Sequence, residues 1–463
     1  MDKENKSSSV PRTIWNWIDR FSGDKVILMV ALFLMLISVI SVFSSTPKLA
    51  LETGTDRISI MMTQLKVVVA GVVLMLLLYL FGKSSWYRTL SMLGFGASFF
   101  ILLILVFNLN LGIVRAGEIN GARRILLVLG KQVHVYEFVK VFMIMYLAWA
   151  LDAVKNDEVT WSGKIASWSR RLAWVDEPLG RKCFYFYLPI LLTTGMVMMG
   201  SNSSAIFIFL IMVLMLMVGG VEMKEIFGVG ILAAILILAI FGAHKAGWLK
   251  QTRIDTLVSR VMDDKMAKLD SLDNYPRGSN EFNRLKDELK QPVGAMLAIQ
   301  EGGIVGKGFG RSTQKYAVPV IFGDYIFSFI IEETGILGAI VIIILFFSLL
   351  ARGTLVAKEC TKYYDKVLVS GLIILIVGQA FMHMAVNVHL PLVPQTGQTL
   401  PLVSHGTNSF LVFSMVFGIL LSISKNAREN MARREAEAAP ILSRSGDEVQ
   451  DALSDLDNME STE

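Results

Sequence analysis

Long apolar segments constrain the fold of this chain more than any other feature of its sequence. Hydrophobic residues make up 54% of the 463 residues, charged residues only 18%, and the apolar residues are grouped into runs. A helix needs about 20 such residues to cross a hydrocarbon core of about 30 Å. Ten runs approach this length: 26–45, 64–82, 89–108, 135–153, 184–200, 204–220, 225–247, 323–351, 367–390 and 404–424. They predict an all-α polytopic membrane protein with about ten transmembrane helices.

The distribution of Lys and Arg predicts the orientation of these helices. An even number of spans puts both termini on one side of the membrane, and the segments on that side are the more basic ones. Because cytoplasmic loops carry an excess of Lys and Arg, both termini are predicted to be cytoplasmic. The net charge of +5 then reflects helix ends that face anionic lipid and does not require a nucleic acid partner. Cys183 and Cys360 fall near cytoplasmic ends of spans, so no disulfide is expected.

Three regions follow from this pattern. Residues 1–25 form a cytoplasmic tail, residues 26–425 form the ten-helix membrane domain, and residues 426–463 form a polar cytoplasmic tail predicted to be disordered. An external loop, 248–322, separates the seventh and eighth spans, and its length is typical of a functional loop. Within it, apolar residues recur at helical spacing over 254–269, which predicts an amphipathic helix lying on the membrane or on the bundle.

Acidic residues at the start of the eighth span form the first candidate site. Asp324 lies at the predicted external mouth, and Glu332 and Glu333 lie two or more turns deeper. Ionisable groups at membrane depth normally face a cavity or a partner because their insertion is costly. Asp324 fits either a catalytic acid or an interfacial helix cap, whereas Glu332 and Glu333 fit a structural ion pair better.

A second candidate site surrounds the start of the fourth span, in "NGARRILLVLGKQVHVYEFVK". Arg123 and Arg124 are suited to an anionic group, although they fit exposed loop charges equally well. Glu137 and Lys140 are three residues apart and share one helix face. They fit a catalytic pair and a self-satisfied buried ion pair equally well.

A third candidate is the segment 387–410, which precedes and enters the last span. Its prolines and glycines favour a shaped re-entrant loop, which is stable at membrane depth only when it is buried in protein or lines a cavity. His389 and His405 have no Cys or HxxxH companion, so a zinc site is not expected. The segment "GGIVGKGFG" lacks the spacing of a nucleotide-binding P-loop.

Four motifs together resemble the SEDS family, represented by FtsW and RodA. The family's NGAxRW and QPSEFxK stretches are similar to "NGARRI" and "HVYEFVK", and its AIGSGGLxGKGxGxSxQK is similar to "AIQEGGIVGKGFGRSTQK". Its PExHTDFIFxxxxEELG pattern is similar to "PVIFGDYIFSFIIEETG", and LPxTGxPLPxxSxGGSS to "VPQTGQTLPLVSHGTNS". The last of these looks more like the division members than the elongation members.

The resemblance implies a peptidoglycan glycosyltransferase that polymerises lipid II at the outer face of the cytoplasmic membrane during cell division. It implies a class B penicillin-binding protein and other divisome membrane proteins as partners. Asp324 would be the catalytic base or would hold a divalent cation, Mg or Mn. The resemblance implies substrate-binding roles for Arg123, Arg124, Glu137, Lys140, Lys307, Gln314, Lys315 and Ser404. It implies structural support from Glu332, Glu333, Pro401 and Gly406.

The chain also departs from the family pattern. Ile125 replaces the motif tryptophan, Val135 and Tyr136 replace the proline and serine before Glu137, and Phe322 and Gly323 replace the histidine and threonine before the aspartate. These departures put secondary contacts in doubt. Two other hypotheses therefore stay open: a flippase or transporter of a lipid-linked substrate that uses the membrane acids as a proton relay, and a scaffold that only recruits the transpeptidase.

Overall fold

Helices dominate the computed structural model, which describes residues 21–119, 122–245, 268–269, 271–390, 393 and 396–460. The predicted amphipathic helix at 254–269 lies almost wholly outside the described residues. The helices of the first half are α1 Lys25–Ser45, α2 Pro47–Thr53, α3 Arg57–Phe81, α4 Ser84–Phe107, α5 Val135–Lys155, α6 Trp161–Trp168, α7 Pro178–Lys182, α8 Leu188–Met198, α9 Asn202–Val218 and α10 Met223–Lys245. Those of the second half are α11 Asn280–Gly302, α12 Gln314–Ala317, α13 Ile326–Glu359, α14 Tyr363–Asn387 and α15 Thr407–Glu460.

Six of the described helices are long and apolar enough to span a membrane, namely α1, α3, α4, α13, α14 and the first part of α15. The other predicted spans correspond to α5, to α7 and α8 joined by the π-helical turn Cys183–Tyr187, to α9 and to α10. Helix α5 carries charged residues, and α8 and α9 are short, with 11 and 17 residues. The prediction of a helical, multi-pass membrane protein is confirmed.

Helices α5 and α14 form the centre of the bundle. Helix α5 packs against α4, α9 and α14, while α14 also packs against α13 and α15. Both are apolar on nearly all sides, as expected for helices that contact protein all round. The polar side chains that they carry must therefore find partners inside the bundle.

A small antiparallel sheet is the main departure from the all-α prediction. Strands β1 Val114–Ile119, β2 Ala122–Val128 and β3 Lys131–His134 pair in the order β1-β2-β3. The segment was predicted as a loop because it lies between two spans. Ile125 and Val128 are β-branched residues that favour a strand, and Gly130 tolerates the positive φ that the two-residue turn requires. β3 runs directly into α5, so the sheet fixes the start of that helix.

Helix α15 extends from the last span into the C-terminal tail and ends at Glu460. The residues that follow the span, up to Ala439, include many Ala, Glu and Arg residues, which are strong helix formers. The predicted disorder of residues 426–463 stays a prediction.

Candidate active site

Asp324 lies in a tight turn that leads into α13. Its N–H and that of Gly323 both donate to the carbonyl of Val320, at 3.2 and 3.0 Å. Val320 has a φ of 54°, which is unusual for a β-branched residue. The carbonyl of Asp324 accepts a hydrogen bond of 3.0 Å from Asn387 Nδ2 on α14. The turn is therefore held in one conformation, with the carboxylate half-buried at its end.

The loop between α14 and α15 lies directly against this turn. A Cβ atom at Gly397 would lie 3.1 Å from Oδ2 of Asp324, so glycine permits this close approach. Ser404 Oγ accepts from the N–H of Leu400 and donates to the carbonyl of Gly323, both at 2.8 Å. The resemblance implied that Ser404 binds substrate, which stays a prediction; in the structure its hydroxyl joins the loop to the aspartate turn.

Pro401 and Gly406 complete the shape of this loop. Pro401 lies in the turn that follows Leu400, and the carbonyl of Gly406 accepts from the N–H of Phe410 in the first turn of α15. The N–H of His405 donates to the carbonyl of Phe322 at 2.9 Å. The loop is thus connected by backbone hydrogen bonds to α15 on one side and to the aspartate turn on the other.

Lys140 on α5 binds the loop between α14 and α15 through Gln398. Its side chain is 1% exposed, and Nζ donates to Glu137 Oε1 at 2.8 Å, to Gln379 Oε1 at 2.6 Å and to Gln398 Oε1 at 3.1 Å. These three bonds use all the protons of the ammonium group. Because Gln398 follows Gly397 in the chain, the buried ion pair fixes the backbone that contacts Asp324.

The two arginines of β2 diverge, as adjacent residues of a strand do. Arg123 pairs with Glu118 at 3.2 Å, and its carbonyl accepts from the hydroxyl of Tyr136. Arg124 lies close enough to Asp324 to lower the pKa of that carboxyl group. The structure therefore brings only the second arginine to the acid.

Burial determines the ionisation of Asp324. Removal of solvent around the carboxyl group raises its pKa to about 6, and the positive charge of Arg124 opposes part of this rise. A carboxylate with this pKa is ionised at neutral pH and accepts a proton more readily than an ordinary aspartate.

The glycine-rich segment 302–315 forms a second polar cluster, held by the two glutamates of α13. Glu332 accepts hydrogen bonds from Lys307 Nζ at 2.8 Å, from Ser312 Oγ at 2.5 Å and from the N–H of Thr313 at 2.7 Å. Glu333 accepts from the N–H of Gly310 at 2.9 Å and from Ser44 Oγ at 2.6 Å. Both carboxylates thus bind the segment as acceptors.

Three residues predicted to bind substrate are engaged within this cluster. Lys307 also pairs with Glu301, and the pKa of its ammonium group is raised by its acidic partners in spite of partial burial. Lys315 is buried and donates to the carbonyl of Gly310 at 2.6 Å. Gln314 is buried, and its N–H donates to Glu332. The geometry makes these side chains part of the folded segment.

The residues around Asp324 do not fit a resident divalent metal ion. Within the described ranges, no group of three or more His, Cys, Asp or Glu side chains is placed to hold one. The charged neighbour that affects Asp324 is the cation Arg124, which would oppose a second positive charge. Glu332 and Glu333 already accept several hydrogen bonds from the glycine-rich segment.

Sequence reasoning missed a polar stripe on α14. Gln379, His383 and Asn387 are spaced by four residues in an otherwise apolar helix, so they share one face. His383 Nδ1 lies 2.7 Å from the carbonyl of Gln398, and Asn387 Oδ1 accepts from the N–H of Ser328 at 3.0 Å. Their spacing was the signal that could have revealed them.

Comparison with known proteins identifies the family. The profile of the FtsW, RodA and SpoVE cell cycle proteins matches residues 24–429. The chain belongs to this family. The resemblance inferred from the four motifs is therefore confirmed.

Individual members of the FtsW/RodA/SpoVE family are similar over most of their length. Stage V sporulation protein E of Bacillus subtilis is 27% identical over 413 residues, covering 88% of this chain and 98% of that protein. The probable peptidoglycan glycosyltransferase FtsW of Geobacter metallireducens is 27% identical over 410 residues, covering 88% of this chain and 95% of that protein.

Solved structures show the same fold. A chain from a peptidoglycan synthase complex that coordinates polymerisation and crosslinking has a TM-score of 0.58 at 19% identity, covering 88% of this chain and 98% of that chain. Rod shape determining protein RodA of Thermus thermophilus has a TM-score of 0.52 at 18% identity, with coverage of 88% and 99%. Both comparisons concern the fold alone.

Proposed function

We propose that this protein is a peptidoglycan glycosyltransferase that polymerises lipid II, with Asp324 as its catalytic base. The observation that carries the proposal is the half-buried carboxyl group of Asp324, whose pKa is about 6, held at the end of a span beside Arg124. Membership of the FtsW/RodA/SpoVE family and relatives named as probable peptidoglycan glycosyltransferases support it.

The proposed reaction follows from these groups. Asp324 accepts the proton of an acceptor sugar hydroxyl as the oxygen forms a bond to the anomeric carbon of the donor. The bond between that carbon and the phosphate oxygen breaks, and undecaprenyl pyrophosphate departs with the electron pair. Arg124 is the cation best placed to stabilise the departing negative charge. The proton remains on Asp324 until it is released to solvent.

The location of the site supports a lipid-linked substrate. Asp324 lies just before a membrane-spanning helix, at the end of the bundle that also carries the sheet. A group at this level meets a substrate whose sugar is in water and whose tail is in lipid. The distribution of Lys and Arg supports cytoplasmic termini, which puts this end at the outer face of the cytoplasmic membrane. We further propose a class B penicillin-binding protein as the partner, a role in cell division, and contacts with other divisome membrane proteins.

The test is polymerisation of lipid II by the purified full-length protein in liposomes, with and without a class B penicillin-binding protein, followed by electrophoresis of the glycan. We expect Asp324→Asn to lower the rate by about 10²–10⁴-fold, the range typical of a lost general base. Asp56→Asn, the same substitution at an exposed loop position, is the matched control and should retain activity.

Wild-type rates in Asp324→Asn would overturn the assignment of the base. If the wild-type protein makes no glycan in either condition but moves labelled lipid II between leaflets, the protein is a transporter. If it makes no glycan and moves no lipid, but binds the transpeptidase, the scaffold hypothesis is correct.

A further inference from the structure

Four large apolar side chains are exposed together at one end of the small sheet. Leu109 and Leu111 are 40% and 53% exposed, Ile113 is 66% exposed and Leu129 is 80% exposed. The N–H of Leu129 donates to the carbonyl of Ile113 at 3.3 Å, and the N–H of Leu111 donates to the carbonyl of Val114 at 2.9 Å, so these three residues are joined at one end of the sheet. Leu109 precedes them in the chain and completes the surface. This surface is called the apolar tip below.

Leu129 holds an unfavourable backbone conformation at the apolar tip. Val128 pairs with Lys131, which leaves Leu129 and Gly130 as a two-residue turn with φ angles of 50° and 79°. Positive φ at both central residues is the type I′ turn, for which Asn-Gly is the preferred sequence. A bulky residue at positive φ is an outlier, and such an outlier supports a hypothesis of function for the side chain that causes it. Leucine at position 129 contributes nothing to the turn and is almost fully exposed.

The position of the apolar tip indicates what covers it. Helix α4, one of the membrane-spanning helices, ends at Phe107, which is itself 66% exposed. The N–H of Leu109 still donates to the carbonyl of Ile104 in that helix, and both β1 and β2 pack against α4. The apolar tip therefore continues the lipid-facing surface of α4 just beyond its end.

Basic side chains flank the apolar tip. Arg115 and Lys131 are exposed at the start of β1 and of β3, and each lies two residues after Ile113 or Leu129 in the chain. Long basic side chains beside an apolar surface extend their charges to lipid headgroups while their stems stay in contact with hydrocarbon. A surface that binds a protein partner does not need to continue a membrane-spanning helix, whereas a surface that inserts into lipid does. The position of the apolar tip therefore favours lipid.

We propose that the apolar tip inserts into the bilayer leaflet nearest the sheet, as an anchor for the β1-β2-β3 sheet. β2 also carries Arg124, so the anchor holds this arginine at a fixed depth relative to the membrane surface. The proposal does not depend on the reaction that the protein catalyses.

The test measures depth with nitroxide labels on the full-length protein in liposomes of phosphatidylethanolamine and phosphatidylglycerol. Leu129→Cys and Gln132→Cys are labelled separately after Cys183→Ser and Cys360→Ser, and collisions are compared for oxygen, which concentrates in lipid, and for a water-soluble nickel complex. Gln132 is exposed on β3, three residues from Leu129, and is the matched control.

We expect the ratio of oxygen to nickel collisions to be severalfold higher at position 129 than at position 132. A label at Ile113→Cys should become shallower when Leu129→Asn is added, a change that suits the turn and preserves the fold. Equal, water-like ratios at positions 129 and 132 would overturn the proposal. So would protection of position 129 that develops only after a transpeptidase is added, which would identify a protein-docking surface instead.

Discussion

Burial raises the pKa of the Asp324 carboxyl group to about 6, and the proposed role of this group predicts the direction in which the rate changes with pH. The base must be ionised, so the rate of polymerisation should rise with pH through about 6 and then level off. Arg124 lowers this pKa, so Arg124→Gln should move the midpoint to higher pH whatever its effect on the maximal rate. Initial rates between about pH 5 and 8 measure the midpoint.

The neighbouring arginine is the control for this experiment. Arg123 pairs with the exposed Glu118, and the loss of a pair of this kind has a small effect. Arg123→Gln should therefore keep the midpoint of the wild-type protein. The same midpoint in Arg124→Gln would show that Arg124 does not act on the carboxyl group of Asp324.

At the scale of elements, α13 is interrupted at Gly335, and near this point its backbone binds the glycine-rich segment. Gly335 has a φ of 71° inside the helix, and the carbonyls of Glu332 and Glu333 accept from the N–H groups of Lys307 and Gly308, both at 2.9 Å. Irregular backbone at membrane depth is stable when protein satisfies its polar groups in this way. The segment and the helix are therefore one structural unit.

We expect Gly335→Ala to destabilise the protein by several kcal/mol. A Cβ at this position would collide with the carbonyl of Ile304, and the positive φ disfavours any L side chain. Gly96→Ala in α4 is the control, because a Cβ there meets no atom within 4 Å, and it should be neutral or stabilising by up to about 1 kcal/mol. Thermal unfolding in detergent measures both. Equal midpoints for the two variants would contradict this account.

At the scale of the whole molecule, Asp24 joins three helices at the end of the bundle away from Asp324. Its side chain is fully buried, Oδ1 caps the start of α1, and Oδ2 accepts from Arg352 Nη2 on α13 at 2.5 Å and from Arg428 Nη2 on α15 at 3.0 Å. The two arginines are about one-third exposed. The carboxylate therefore holds α1, α13 and α15 together at this end of the bundle.

Asp24→Asn should keep the cap but lose the charge, which lowers the free energy of unfolding by about 1.5–3 kcal/mol, the usual contribution of hydrogen bonds to a charged group. Arg352→Gln and Arg428→Gln should be non-additive with it, because all three act through one carboxylate. Additive losses in detergent unfolding would mean that the three residues act independently.

The sequence alone was sufficient for the properties that depend on local pattern. Apolar runs predict the membrane-spanning helices because their length must match the hydrocarbon core. Four short motifs predicted the family and pointed to Asp324, since each motif is contiguous in the chain. The strands at 114–134 were missed because an interspan segment was read as a loop, and because the turn carries Leu129 where the hairpin signal would have Asn.

Only the tertiary structure decided which polar groups meet. Lys140 is far from Gln398 in the chain, and Asp324 is far from Gly397, so their contacts depend on how α5, α13 and α14 pack. The resemblance implied substrate-binding roles for Arg123, Arg124, Lys307 and Lys315 without distinguishing among them. The pleat of β2 directs only Arg124 to Asp324, while Glu332 and the carbonyl of Gly310 engage the two lysines. Such a choice is set by the three-dimensional positions of acceptors, which no local pattern of residues contains.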